Sequence, residues 1–215
     1  MMTQTEQLKN ALQTSEPFAG QTFSADEIAQ FARYYELTLK WNARLPLTTI
    51  TEPVEFAERH ILEAAFLRQH LSTTIKEVWD LGAGLGIPGL VLAVLCPFLK
   101  IKLVEANRKK CFFLEEAAFR LSLASVKVLN QRIESLEPPD ETVCLTGRAI
   151  DGMEWLMPRI VKLGVTAGQT LILGTVESES LARLHLGDDR KLARYLLPER
   201  KTAYLLSVSG ASDDA

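Results

Sequence analysis

The chain has 215 residues, enough for one large domain or one domain with an added subdomain. Hydrophobic residues make up 47% and charged residues 24%, which excludes a disordered chain, a collagen-like repeat and a disulfide-rich miniprotein. The formal net charge of -3 excludes attachment to nucleic acid by bulk positive charge, so any such contact needs a local basic patch.

Residues 1–20 are polar, with Pro17 and Gly20 near their end, and read as a mobile arm with room for one short helix. Met1 to Asn10 holds no apolar signal core. Ser24 to Glu27 has the form of a capping box. Ile28, Phe31, Ala32, Tyr35 and Leu39 follow at the spacing of one helix face, and Leu45-Pro46-Leu47 ends that helix. Thr51 and Pro53 open a second helix, with Phe56, Ala57, Leu67 and Leu71 among its buried residues. Residues 21–75 therefore read as a helical cap.

Residues 76–215 have a different character. Strands are predicted at Glu77–Leu81, Ile101–Val104, Val126–Leu129, Thr142–Leu145 and Thr170–Leu173. Helices are predicted from Pro88, over Asn107–Leu121, over Met153–Leu163 and over Ser180–Leu186. Leu192–Leu197 and Ala203–Val208 can pair as antiparallel strands, and Ser209 to Ala215 reads as a frayed tail. Strands alternating with helices predict an α/β fold with a mostly parallel sheet. Leu81 to Leu99 carries no charge, but its four glycines and two prolines fit a buried strand–loop–helix better than a membrane span. Cys96, Cys111 and Cys144 form no CxxC and are expected as free thiols in a reducing cytoplasm. His60, His70 and His185 are scattered, so no structural metal is expected.

The most informative segment is Asp80-Leu81-Gly82-Ala83-Gly84-Leu85-Gly86-Ile87-Pro88-Gly89, between a strand and a helix. Glycines let the backbone turn sharply and approach a ligand that faces the helix amides. Gly84, Gly86 and Gly89 fit a dinucleotide fingerprint, whereas Gly82, Gly84 and Gly86 fit the loop of S-adenosylmethionine (SAM)-dependent methyltransferases. Asp80 favours the second reading, because an acid suits a cofactor with a cationic amino acid end and repels a pyrophosphate. It can alternatively cap the following turn. Glu105, at the end of the second strand, can accept hydrogen bonds from ribose hydroxyls of either cofactor.

With these residues the chain resembles the bacterial small-subunit (16S) ribosomal RNA guanine-N7 methyltransferases, RsmG, also called GidB. The markers are Trp41-Asn42, Leu47-Thr48, Arg59-His60-Ile61-Leu62, the glycine loop through Gly89, Gln131-Arg132-Ile133-Glu134 and Gly147-Arg148-Ala149. The resemblance implies a Rossmann-like methyltransferase fold with an N-terminal helical cap. It implies that Gly82 and Ile87 line the SAM pocket, that Ile133 and Glu134 contact the adenine side, and that Arg148 serves cofactor and substrate. It also raises a substrate-side role for His60 and Asn42. Trp41 reads as packing between cap and sheet. The chain departs from the family pattern in having Pro46 for Asn, Glu63 for Asp, Gly147 for Ser and Leu173 for Lys.

The implied chemistry agrees with the residues. Guanine N7 has an exposed lone pair and no proton to remove, so alignment matters more than a general base. Arg148, just past a strand's C-terminal edge, stands where α/β sheets bind ligands. Arg108-Lys109-Lys110 opposes the helix dipole at a helix start and is a candidate contact to RNA phosphates, with a solvated helix face as the equal alternative. The expectation is a monomeric SAM-dependent methyltransferase acting on 16S rRNA or the small ribosomal subunit, with no membrane and no metal. The rivals are a non-catalytic rRNA- or ribosome-assembly-binding protein, an NAD-dependent oxidoreductase, and a methyltransferase with another acceptor.

Overall fold

The computed structural model describes residues 2–14, 22–148, 156–164, 166–185, 190–197 and 203–210. Pro17, Gly20, Ala149, the expected helix start at Met153 and the tail Asp213-Asp214-Ala215 lie outside them.

The chain opens with helices α1 (Gln4–Thr14) and α2 (Ala25–Asn42). The short helix for which the expected arm had room is present over residues 4–14, and it is docked against the core. Leu8 and Leu12 stand four apart on one face, are buried, and join the core shared with α2. The Thr5 hydroxyl adds a 2.8 Å hydrogen bond to Glu36 of α2. Helix α2 starts at the expected capping box: Ser24 accepts from the Glu27 amide, and the Glu27 carboxylate accepts from the Ser24 amide. Helix α3 (Pro53–Phe56) has proline in its first turn and passes without a break through a π turn (Ala57–Leu62) into α4 (Glu63–Arg68). The π turn was not anticipated in the sequence.

Beyond Arg68 the strands are β1 (Glu77–Leu81), β2 (Lys100–Glu105), β3 (Val126–Asn130), β4 (Val143–Arg148), β5 (Gln169–Thr175), β6 (Arg190–Leu196) and β7 (Ala203–Gly210). The helices between them are α5 (Gly89–Leu95), α6 (Arg108–Arg120), α7 (Met157–Gly164) and α8 (Val176–His185). The sheet order is β3-β2-β1-β4-β5-β7-β6; β1 to β5 pair in parallel, and β7 is antiparallel to both of its neighbours, β5 and β6. The expected parallel sheet with an antiparallel pair is thus present. Strand β7 reaches Gly210, so the expected fraying at Ser209 does not occur there.

Alternation along the strands feeds two cores. Ile101, Leu103, Cys144, Leu171 and Leu205 share one apolar core with α1, α2, α5 and α6. Val104, Leu145, Ile172 and Leu206 meet α7 and Ala182 of α8 on the other face. All three cysteines are buried and free. Among the described residues no helix is long and apolar enough to cross a membrane, and no group of His, Cys, Asp and Glu could hold a metal.

One tyrosine ties the cap to the glycine loop, and its neighbour braces the cap internally. Tyr34 donates 2.6 Å to the Leu85 carbonyl in the glycine loop, and Tyr35 donates 2.6 Å to the Thr51 carbonyl. Trp41 donates 2.9 Å to Glu116 of α6 and packs edge-on against Phe113, the cap-to-sheet packing expected of it. The cap therefore forms part of whatever lies above the C-terminal strand edges.

Candidate active site

A cavity of about 750 Å³ opens where β1, β2, β3 and β4 end. This is the edge of an open α/β sheet at which ligands bind, because loops and helix N-termini converge there. Strand β1 leads into Gly82, β2 ends at Glu105, the turn after β3 supplies Ile133 and Glu134, and β4 ends at Arg148; all of these line the cavity. The cap contributes residues 46–49 and His60.

The glycine loop is built to a tight shape. Gly82, Gly84 and Gly86 have φ of +70°, +52° and +91°, which L side chains rarely adopt. The Gly82 and Ala83 amides donate to the Val104 carbonyl at 2.9 and 3.0 Å, fixing the loop on β2. Gly86 turns inward rather than lining the cavity. A Cβ there would lie 2.4 Å from Leu90 Cδ1 and 3.0 Å from Leu114 Cδ2.

Glu105 is nearly buried, and its carboxylate is held at both oxygens. Oε2 accepts from the Gly84 amide at 2.9 Å and Oε1 from the Asn107 amide at 2.7 Å. Each oxygen keeps a second lone-pair site. Asn107 in turn caps α6, accepting from the Lys109 and Lys110 amides at 2.9 and 3.4 Å. Lys110 reaches the cavity, whereas Arg108 and Lys109 are exposed on the first turn outside it. The Arg108 guanidinium lies 5.6 Å from the Phe112 ring.

Asp80 is not where its sequence position suggested. Its side chain is fully buried under the loop, does not line the cavity, and accepts from the Gly89 amide at 2.9 Å. Gly89 permits this closeness, since a Cβ there would sit 2.8 Å from Asp80 Oδ2 and 2.3 Å from Leu103 Cδ2. Asp80 is therefore the support of the turn and helix, the alternative its position allowed. Burial raises its pKa to about 7, with the Gly89 hydrogen bond opposing and the Glu105 charge adding to the rise.

Asn42 also turns away from the cavity. Its Oδ1 accepts from the Leu47 and Thr48 amides at 2.8 and 3.1 Å, and its Nδ2 donates to the Thr48 carbonyl at 2.9 Å. With those groups engaged in shaping the loop, Asn42 positions residues 47–48 and does not itself line the cavity.

Arg148 anchors the far wall. Nη1 donates to the Arg59 carbonyl and, at 2.7 Å, to His60 Nδ1, while Nη2 lies 3.2 Å from Glu63 Oε2. The π turn brings these three groups to one guanidinium; its mark is the Glu63 amide donating to the Glu58 carbonyl, five residues back. On the other side of the imidazole, His60 Nε2 lies 3.0 Å from Thr48 Oγ1. Burial first, and the Arg148 charge second, lower the His60 pKa to about 3, so the ring is neutral at physiological pH. Thr48 and Glu63 belong to this cluster, yet neither was singled out as a site residue. The only sequence signals were their places within or beside the family's markers.

Residues 27–186 match the family described as GidB, rRNA small subunit methyltransferase G. The ribosomal RNA small subunit methyltransferase G of Xanthomonas campestris pv. campestris (strain B100) is 34% identical over 169 residues, covering 78% of each chain. Its counterpart in Xylella fastidiosa (strain 9a5c) is 37% identical over 124 residues, 58% of each chain. Among solved structures, a ribosomal protein L11 methylase from Lactobacillus delbrueckii subsp. bulgaricus superimposes with TM-score 0.55 at 12% identity, covering 71% of this chain and 78% of that one. A precorrin-6y C5,15-methyltransferase from Geobacter metallireducens GS-15 gives 0.53 at 17% identity, covering 77% and 91%. At such identities the structural likeness shows the fold, that of Rossmann-like SAM-dependent methyltransferases.

Proposed function

The chain belongs to the GidB family of small-subunit rRNA methyltransferases, and from that premise we propose that it transfers the methyl group of SAM to N7 of a guanine in 16S rRNA. The observation that carries the reading is one cavity walled jointly by the glycine loop, Glu105 and Arg148. The residues fit the cofactor. The loop's amide-bearing glycines allow close approach, and the Glu105 carboxylate, held by two amides, has lone pairs left for ribose hydroxyls. Ile87 and Ile133 supply apolar surface for an adenine, with Glu134 beside them.

When bound, SAM supplies a sulfonium methyl, an electrophile that a neutral nitrogen lone pair can attack in line. The protein then needs to orient the base and exclude water, not to remove a proton. His60 is suited to that role because it stays neutral and cannot compete as an acid. Methylation at N7 leaves a positive charge on the base. Arg148 would oppose that charge if bare, but Glu63 lies against its guanidinium and offsets it. Outside the cavity, Arg108 and Lys109 offer positive charge to phosphates, with Lys110 at the cavity wall.

The test is transfer from methyl-labelled SAM to 16S rRNA and to small subunits from a strain lacking this methylation. Label recovered as 7-methylguanosine is the expected result. Recovery in another nucleotide overturns the acceptor assignment. Cofactor and RNA binding without transfer would instead indicate a binding protein on a methyltransferase fold.

A further inference from the structure

The hydroxyl of Thr48 is constrained in a way that the methyl-transfer reading leaves unused. Arginine has donors and no acceptor, so the contact between Arg148 Nη1 and His60 Nδ1 puts a lone pair on Nδ1. In the neutral ring the hydrogen then resides on Nε2, which donates to Thr48 Oγ1 at 3.0 Å. The Ile50 amide donates to the same oxygen, also at 3.0 Å. A hydroxyl has two lone pairs and one hydrogen. Both lone pairs are occupied, and among the described residues no acceptor takes the hydrogen. Thr48 lines the cavity, on the same wall as His60 and Arg148. The backbone that carries it is held by Asn42. The site therefore presents a hydrogen-bond donor that cannot reverse its polarity without breaking one of two bonds.

Building on the proposed methylation of guanine N7, we propose that Thr48 is a specificity-determining residue whose hydroxyl donates to O6 of the acceptor guanine. N7 and O6 lie side by side on the same edge of guanine, and both are acceptors. Adenine presents N7 beside an amino group, which is a donor. A hydroxyl locked as donor pairs with the first and faces a second donor in the other. Guanine is thus selected at the atom next to the one methylated, and His60 and Arg148 act as positioning residues for that selection.

The experiment measures kcat/KM on two RNA substrates differing only at the acceptor, one with guanine and one with 2-aminopurine, which keeps N7 and lacks O6. Wild type, Thr48→Val and Thr48→Ser are compared, with S-adenosylhomocysteine affinity measured for each; Thr48→Ala replaces valine if that variant does not fold. Wild type is expected to lose about 10- to 100-fold on removal of O6, the cost of one lost buried hydrogen bond. Thr48→Val should lose a similar factor on guanine and show no further loss on 2-aminopurine. Thr48→Ser should behave as wild type, and the affinities should be unchanged. The comparison between enzymes cancels the intrinsic difference between the two bases. Thr48→Val active at the wild-type rate, or equally sensitive to O6, overturns the proposal. So does a loss of cofactor affinity matching the loss of rate, which would assign the hydroxyl to the cofactor. Failure of wild type to make 7-methylguanosine on the guanine substrate overturns the methylation reading itself, and is distinguishable because it occurs before any substitution.

Discussion

At the scale of single residues, Asp80 and His60 are buried groups with shifts of opposite consequence. Asp80 has its pKa raised from 3.8 to about 7, so between those values the native state holds a proton that the unfolded state releases. Its contribution is present in full below pH 3.8 and is lost as pH rises through 7, at up to about 1.4 kcal/mol per unit. His60 is lowered from 6.5 to about 3, so its contribution is present above 6.5 and is lost as pH falls. The two partly cancel in wild type, and a variant is needed to separate them. Asp80→Asn keeps an oxygen to accept from the Gly89 amide and cannot ionise. Denaturant unfolding at pH 5 and pH 8 should show Asn gaining on wild type by about 2–3 kcal/mol over that interval. An unchanged difference would mean that Asp80 does not titrate in this window.

At the scale of elements, the cap is part of the cavity and not an appendage to it. Helix α2 reaches the glycine loop through Tyr34, and Arg148 is held by a carbonyl and an imidazole of the π turn and by the carboxylate that opens α4. Helix α1 buttresses both α2 and α3, with Leu8 completely buried between the cap and the core. Leu8→Ala should lower unfolding free energy by about 2–4 kcal/mol, through lost burial and the cavity left behind. Urea denaturation checks this, and a change below about 0.5 kcal/mol would show that α1 is not docked in solution.

At the scale of the whole molecule, ligand binding links the cavity to global stability. Any ligand bound only by the native state stabilises it by mass action, about 2.7 kcal/mol at a hundred times Kd. For a chain of this size that is a rise in Tm of about 5–10 °C. S-adenosylhomocysteine is expected to produce such a rise in thermal unfolding, and NAD at the same concentration none. The reverse pattern would replace the methyltransferase reading with the dinucleotide one that Gly84, Gly86 and Gly89 also permit.

Much of this protein was determined by its sequence alone. The capping box at Ser24, the apolar strands, the glycine loop and the alternation of strands and helices are local patterns, and local hydrogen bonding and periodicity decide them. Glu105 and Arg148 could be placed at the cavity because strand ends in an α/β sheet converge on one edge, and Ile133 was placed there by the family resemblance. Only the tertiary structure decided where side chains turn at the ends of those elements. Asp80 went under the loop because Gly89, nine residues on, brings an amide within reach. Asn42 was taken by the backbone of its own loop, and residues 4–14 were held by a helix face that finds its partner only in the folded cap. The role of Thr48 depends on a histidine 12 residues away and, through it, on an arginine 88 residues further on. Which atom of a hydroxyl or imidazole carries the hydrogen is set by the neighbour it meets, and those neighbours are assembled by the fold.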